Sequence, residues 1–114
     1  MPDTIAVYAG TQDGLVIVEP KNGGWETTQH VFQDAVVESL SGARTTPDRV
    51  YAGVTYDGLY RTDDAGRTWK KIVEGDIRSV TVDPPDDNVV YTGTEPPVGL
   101  QNSGRPFVLV MEAS

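Results

Sequence analysis

Five residues carry polar or ionisable side chains from which a ligand-binding or catalytic site could be built: Glu38, Tyr56, Asp57, Asp76 and Arg78. Two carboxylates on opposite sides of a glycosidic bond can act as an acid and as a base or nucleophile. A tyrosine nucleophile beside clustered arginines would instead suit a sugar that carries a carboxylate. No spacing in the sequence sets the distance between these carboxylates, and the arginines are scattered, so we assign no catalytic residue. We treat the five residues as candidates for a ligand-binding face.

Signatures of other site chemistries are absent from the sequence. The chain has no cysteine, so it has no disulfide, thiolate metal site or cysteine nucleophile. The acidic run 83–88 lacks the spacing of a calcium-binding loop, and no phosphate-binding loop or Ser-His-Asp order occurs. The single histidine, His30, is expected to be a surface or half-buried residue rather than a catalytic base. We therefore predict neither a metal nor a cofactor.

The segment Thr62–Trp69 contains the residue types needed for one tight hairpin turn. The carboxylate of Asp64 can accept hydrogen bonds from amides later in the turn, and Gly66 can adopt a positive φ angle. Thr68 leads into Trp69, whose burial removes roughly 150–250 Å² from water and contributes about 4–6 kcal/mol at most. The turn is therefore expected to clamp two strands together, and Asp64→Ala to destabilise them.

The same eight residues resemble the Asp-box, or BNR repeat, whose pattern is Ser or Thr, x, Asp, x, Gly, x, Thr, Trp. All five fixed positions are occupied, by Thr62, Asp64, Gly66, Thr68 and Trp69. The resemblance implies the outer hairpin of a β-propeller blade, as in sialidases, sortilin-type receptors, xyloglucanases and photosystem assembly factors. It implies a structural role for Asp63 and Asp64, because this hairpin lies on the rim opposite the loops that usually surround a ligand. It selects no function, since these families share little chemistry.

A repeat of about 40 residues extends through the chain. Val-Tyr-Ala-Gly or Val-Tyr-Thr-Gly patterns recur at nearly equal spacing, around Tyr8, Tyr51 and Tyr91. A Gly-Leu pair follows each of them, beginning at positions 14, 58 and 99, and Trp25 precedes Trp69 by a similar interval. This spacing is typical of propeller blades.

Short β patterns separated by Gly, Asp and Pro fill each repeat, and no helical pattern occurs. The sequence therefore predicts an all-β fold of antiparallel four-stranded meanders, arranged as β-propeller blades in an incomplete ring. The predicted units are a partial blade in 1–33, a complete blade in 34–75, a partial blade in 76–100 and a divergent or truncated tail in 101–114. The predicted strands are Ile5–Ala9, Leu15–Glu19, Trp25–Val31, Val36–Ser41, Val50–Val54, Leu59–Thr62, Trp69–Val73, Ile77–Val82 and Val89–Gly93.

A propeller closes with roughly four to eight blades, whereas this chain supplies little more than two. We therefore expect a fragment of a longer ring, ended by truncation, by a shifted reading frame or by a divergent cap. The apolar run Phe107–Met111 could alternatively pair with an exposed sheet edge.

The direction of the predicted turns indicates where a ligand would bind. In a four-stranded meander, the turns between the second and third strands lie at the same end of the blade as the connections between blades. These turns contain Tyr56, Asp57 and Asp76. Glu38 and Arg78 occupy equivalent positions, one repeat apart, on the innermost strands. They are expected near a central channel, as an ion pair, as part of a solvated channel wall or as ligand contacts.

The net charge of -8, from seventeen acidic and nine basic residues, argues against nucleic acid or an anionic membrane as a partner. The Asp-rich, Lys-poor composition also resembles that of proteins from salt-loving microbes. No signal-peptide pattern or membrane-spanning apolar stretch occurs, so a cytoplasmic location is expected.

Three functions are consistent with these patterns. The first is a non-catalytic propeller segment that binds an unidentified protein or glycan, or acts as an assembly scaffold. The second is a fragment of a sialidase-like or xyloglucanase-like glycoside hydrolase whose catalytic residues lie mostly on other blades. The third is a short protein that completes a ring by self-association through its exposed blade edges.

Overall fold

The computed structural model describes residues 6–94 and, in addition, the backbone of a strand at 107–112. All regular structure in these residues is β, which confirms the predicted all-β class. They include no helix that is long and apolar enough to cross a membrane. The strands are β1 (Val7–Thr11), β2 (Gly14–Lys21), β3 (Gly24–Val31), β4 (Val37–Gly42), β5 (Val50–Val54), β6 (Gly58–Thr62), β7 (Lys70–Glu74), β8 (Ile77–Val82), β9 (Val89–Thr94) and β10 (Phe107–Glu112).

The strands form three antiparallel sheets in chain order. Sheet 1 contains β1, β2 and β3, sheet 2 contains β4 to β7, and sheet 3 contains β8, β9 and β10. Each strand pairs with its neighbours in sequence, as in a meander. Within the described parts of the chain, the three sheets do not form a closed ring.

Sheet 3 contains one strand more than the two that the sequence predicts for it. The run 107–112 pairs antiparallel with β9, with Val110 opposite Tyr91. This run therefore pairs with the edge of β9, which was one of the interpretations left open for it. The Gly-Leu pair at position 99 and the remainder of the predicted tail, 101–106 and 113–114, lie outside the described residues.

Sheet 2 lies between the other two sheets, and β5 is its most enclosed strand. All five residues of β5 are buried, because successive side chains point to opposite faces and both faces are covered. Ala52 packs with Leu15 and Ile17 of sheet 1, whereas Tyr51 packs with Ile77 of sheet 3. The hydrophobic core thus consists of two layers, one on each side of sheet 2.

Glycines allow the sheets to approach closely at two equivalent places. A Cβ atom at Gly10 would collide with the carbonyl oxygen of Val37, and one at Gly53 would lie 2.8 Å from Cγ2 of Ile77. Gly53 follows Gly10 by one repeat, and Ile77 likewise follows Val37 by one repeat. The same contact therefore joins sheet 1 to sheet 2 and sheet 2 to sheet 3.

The predicted start of β7 at Trp69 is wrong, because that residue belongs to the preceding turn. Its indole Nε1 donates to the carbonyl oxygen of Gly66 at 3.0 Å, and the strand begins at Lys70. The other predicted boundaries lie within two residues of the observed ones.

The outer hairpin of sheet 1 is built differently from that of sheet 2. β2 extends to Lys21, and Asn22 and Gly23 form the turn with φ angles of 51° and 83°. Asn-Gly is the favoured pair for a two-residue hairpin turn of this kind. Trp25, which the repeat aligns with Trp69, is 59% exposed.

Candidate functional site

Four of the five candidate residues form one cluster, which we call the Arg78 cluster: Glu38, Tyr56, Asp76 and Arg78. Arg78 donates from Nε to Oδ1 of Asp76 at 3.1 Å and from Nη2 to Oδ2 at 2.9 Å. Its Nη1 lies 3.6 Å from Oε1 of Glu38. A planar guanidinium suits such two-point binding of a carboxylate. Glu38 and Arg78 therefore form an ion pair, one of the interpretations of their spacing in the sequence.

Two β-bulges position Glu38 and Arg78. The pairing of β4 with β5 skips one residue, Glu38, and the pairing of β8 with β9 skips one residue, Arg78. A bulge leaves the extra residue outside the ladder and re-aims its side chain. Because the bulge recurs at the same place in sheets 2 and 3, the two side chains meet across the sheet boundary.

Tyr56 provides an exposed aromatic ring beside this ion pair. Its backbone has a φ angle of 62°, and its amide donates to Oδ1 of Asp76 at 2.8 Å. Its ring centroid lies 5.1 Å from Cζ of Arg78, within the range of a cation–π contact. The side chain is nevertheless 81% exposed, so most of the ring surface can contact a ligand.

The positive charge of Arg78 stays fixed at neutral pH. The hydrogen bonds to Asp76 raise the pKa of Arg78 above its ordinary value, and the nearby Glu38 carboxylate acts in the same direction. An arginine is charged throughout the physiological range in any case. The cluster therefore offers carboxylate oxygens and an aromatic face, which suits hydrogen-bonding and apolar contacts to a ligand.

Asp57 does not join the Arg78 cluster. Its Oδ1 lies 2.8 Å from Nζ of Lys71, and its Oδ2 accepts a hydrogen bond from the hydroxyl of Tyr60 at 3.0 Å. The hydrogen bond from Lys71 lowers the pKa of Asp57, and burial, with a smaller contribution from Asp57, raises the pKa of Tyr60. Sequence reasoning missed this trio because Lys71 lies on a different strand, β7, and only the pairing of β6 with β7 brings it close.

The Thr62–Trp69 turn is organised around a buried hydroxyl group. Thr62 is 1% exposed, and its Oγ1 donates to Oδ1 of Asp64 at 2.7 Å. The same oxygen accepts hydrogen bonds from the amides of Gly66 at 2.9 Å and Asp64 at 3.2 Å. Gly66 has a φ angle of 90°, as the turn requires.

The carboxylate of Asp64 links the two ends of this turn. Its Oδ1 accepts from the amide of Thr68 at 2.9 Å, and its Oδ2 accepts from the hydroxyl of the same residue. These two hydrogen bonds and the one from Thr62 lower the pKa of Asp64 to about 2. The expectation that Asp64 accepts a hydrogen bond from an amide later in the turn is therefore confirmed for Thr68.

Asp63, the neighbouring carboxylate, binds Arg49, just before β5, and Arg61 on β6. Its Oδ1 lies 2.7 Å from Nε of Arg49, and its Oδ2 lies 3.1 Å from Nε of Arg61. The hydrogen bond to Asp63 raises the pKa of Arg49. Both neighbouring carboxylates of the turn are thus engaged by their own chain.

Asp87, in the acidic run 83–88, joins sheets 2 and 3. The carboxylate of Asp87 accepts hydrogen bonds from the amides of Arg44 at 3.1 Å and Thr45 at 3.0 Å, and from Oγ1 of Thr46 at 3.0 Å. The hydrogen bond from the side chain of Thr45 is the main cause that lowers the pKa of Asp87. Its partners lie far away in the sequence, between β4 and β5, and no local pattern predicts them.

An aromatic group also ties sheet 1 to sheet 2. The ring of Phe32 lies 4.7 Å from that of Tyr60 and 5.2 Å from that of Trp69, measured between centroids. Trp69 thereby packs into the core layer between these sheets, as expected of an anchor.

No protein-family model matches this chain, and no curated protein matches it significantly. Within the described residues, no group of three or more His, Cys, Asp or Glu side chains is placed to hold a metal ion.

Proposed function

We propose that this chain is a non-catalytic segment of an Asp-box β-propeller that serves as a binding or assembly scaffold. The observation that carries the proposal is the repeated contact between sheets, from Gly10 to Val37 and from Gly53 to Ile77. Antiparallel sheets that follow one another in the chain and pack through one recurring contact are the building principle of a propeller.

The hydrogen bonds of the Thr62–Trp69 turn support the same proposal. Asp64 binds Thr68, Thr62 binds the amide of Gly66, and the ring of Trp69 closes onto the turn. Each fixed position of the Asp-box pattern therefore has a physical task in the hairpin. A chance match of residue letters would not require these contacts.

The Arg78 cluster is the proposed ligand face. It lies where the turn between β5 and β6 meets the connection from sheet 2 to sheet 3, since the amide of Tyr56 binds Asp76. The Thr62–Trp69 turn connects β6 to β7 and therefore lies at the opposite end of the sheet. An exposed ring beside two carboxylates suits the hydroxyl groups of a glycan or the polar side chains of a protein.

No specific observation favours the hydrolase hypothesis. A glycoside hydrolase needs one carboxyl group that is protonated as a general acid. Asp57 is held ionised by Lys71, and Glu38 and Asp76 both lie beside Arg78. Both of these carboxylates are thus engaged by an arginine of their own chain.

The proposal is tested by presenting the immobilised full chain with an array of neutral and acidic oligosaccharides and with a cell extract. We expect retention of a glycan or of a specific protein, and a loss of affinity of roughly tenfold or more in Tyr56→Ala, because an exposed aromatic anchor is removed. The matched control is Gln33→Ala, an exposed residue outside the cluster, which should bind like the parent chain.

Two results would contradict the scaffold proposal. One is the absence of any specifically retained glycan or protein. The other is turnover of fluorogenic sialosides or β-glucans that disappears in Glu38→Gln or Asp57→Asn, which would favour the hydrolase hypothesis instead.

A further inference from the structure

The stack of sheets ends in two faces that differ from each other. Val7 pairs with Val18 and lies on the side of sheet 1 that points away from sheet 2, because Leu15 and Ile17 occupy the opposite side. Pro20 shares the face of Val18 and pairs with Trp25. We call this side the leading face, with the residues Val7, Ala9, Val16, Val18 and Trp25.

The other end of the stack is the outer side of sheet 3. Val90 and Thr92 of β9 are buried towards sheet 2, so the alternating residues Tyr91 and Gly93 lie on the outer side. We call this side the trailing face. Its tyrosine is 39% exposed.

Three of the largest exposed hydrophobic side chains in the described residues lie on these two faces. Val7 is 47% exposed and Trp25 is 59% exposed on the leading face, and Tyr91 lies on the trailing face. Exposed apolar groups that are concentrated in this way mark interaction surfaces more often than scattered ones do.

Each face is the repeat equivalent of a face that is already covered within the chain. Val7 and Trp25 of the leading face correspond, one repeat later, to Val50 and Trp69. Trp69 packs in the core layer between sheets 1 and 2. The leading face therefore matches the side of sheet 2 that receives the preceding sheet.

The trailing face is equivalent to the opposite side of sheet 2. Tyr91 and Gly93 correspond, one repeat earlier, to Tyr51 and Gly53. Tyr51 packs in the core layer with Ile77 of the following sheet, and Gly53 allows that strand to approach. The two end faces are thus the two halves of an interface that the chain already forms twice.

We propose that the trailing face of one copy of this chain binds the leading face of a second copy. Each contact joins two different faces, and contacts of this kind form a ring when the rotation between copies closes. Two copies, each with the three sheets that the described residues form, supply six sheets, which lies within the roughly four to eight blades of closed propellers. The expected assembly is a two-fold ring with both end faces covered.

The inference rests on the same repeated contact as the proposed function, but its readout is molar mass rather than ligand binding. Light scattering on the full chain at micromolar concentrations should give twice the chain mass of 12.3 kDa. Raising the salt concentration should strengthen the dimer, because it screens the repulsion between two chains of charge -8. A monomer at every concentration and salt level, or open-ended aggregates, would overturn the inference and leave the scaffold proposal standing.

Mixing two variants tests whether the trailing face of one copy binds the leading face of the other. Val7→Arg and Tyr91→Arg each place a charge on one exposed face and should each leave a monomer with an unchanged circular dichroism spectrum. An equimolar mixture should recover dimers, because one undamaged leading face and one undamaged trailing face remain. Gln12→Arg adds the same charge at an exposed turn position and should stay dimeric. A mixture that remains monomeric, or single variants that still dimerise, would contradict the arrangement.

Discussion

At the scale of single residues, the Thr62–Trp69 turn depends on one buried hydroxyl group. Oγ1 of Thr62 receives two amide hydrogen bonds and donates one to Asp64. Buried amides that lose their acceptor cost free energy, since no water replaces it. The stability of the hairpin should therefore respond to the hydroxyl more than to the methyl group of this side chain.

Comparing Thr62→Val with Thr62→Ser tests this dependence. The valine keeps the shape but leaves the amide of Gly66 without its acceptor, so we expect a loss of about 1–3 kcal/mol in the free energy of unfolding. The serine keeps the hydroxyl and removes one methyl group, for about 0.8 kcal/mol. Chemical denaturation measures both values, and a serine variant as unstable as the valine variant would contradict the account.

The carboxylate of Asp64 predicts how stability depends on pH. Its pKa is about 2 in the folded chain, below the ordinary 3.8. A depressed folded pKa stabilises the protein above the ordinary value, and this contribution is lost as pH falls from about 3.8 to about 2. The pKa values of Asp57 and Asp87 are also lowered, so the thermal midpoint Tm should fall in the same acidic range.

Asp64→Asn isolates the part that this carboxylate contributes. The amide side chain does not titrate, so Tm of the variant should be lower than that of the parent at neutral pH, and the two should converge in acid. The measurement is a series of thermal melts from neutral to strongly acidic pH. A constant difference in Tm across the series would show that ionisation of Asp64 is not what stabilises the turn.

At the scale of the elements, the distance between neighbouring sheets is set by glycine. Gly53 lies on β5, the fully buried strand of sheet 2, and faces the start of β8. A side chain at this position would push the first strand of sheet 3 away from sheet 2. The repeated Val-Tyr-Ala-Gly pattern therefore encodes packing as well as strand formation.

Gly53→Ala should lower the free energy of unfolding by about 1–3 kcal/mol, the usual cost of overpacking. Its Cβ atom would meet Oγ of Ser39 and lie 2.8 Å from Cγ2 of Ile77. Gly42→Ala is the matched control, because nothing lies within 4 Å of a Cβ atom there. That variant should be neutral or more stable, by up to about 1 kcal/mol. Equal effects of the two substitutions on the denaturation midpoint would contradict the packing account.

Strand positions could be predicted from sequence where an apolar run ends at a clear turn signal. β5 and β8 begin and end at the predicted residues. Trp69 was placed in a strand because its apolar ring suits one, but a hydrogen bond to Gly66 keeps it in the turn. The bulges at Glu38 and Arg78 depend on the pairing register between strands, and no local pattern specifies that register.

At the scale of the whole molecule, the candidate site arises from contacts between sheets. The repeat offset between Glu38 and Arg78 predicted that they would occupy equivalent places, and the ion pair joins them at 3.6 Å. The same reasoning could not assign Asp57 to Lys71 or Asp87 to residues 44–46, because those contacts depend on side-chain direction and sheet packing. The sequence repeat predicts contacts that occur in more than one sheet. A long-range hydrogen bond that occurs once leaves no repeat in the sequence.

The repeated sheet contact is the central claim, and nuclear Overhauser effects in the full chain test it most directly. The account predicts cross-peaks between Gly10 and Val37 and between Gly53 and Ile77, because both pairs are in close contact. Selective labelling of glycine, valine and isoleucine would make both pairs observable in one spectrum. Finding both sets of cross-peaks would support propeller-like packing, whereas finding only one set, or neither, would contradict it.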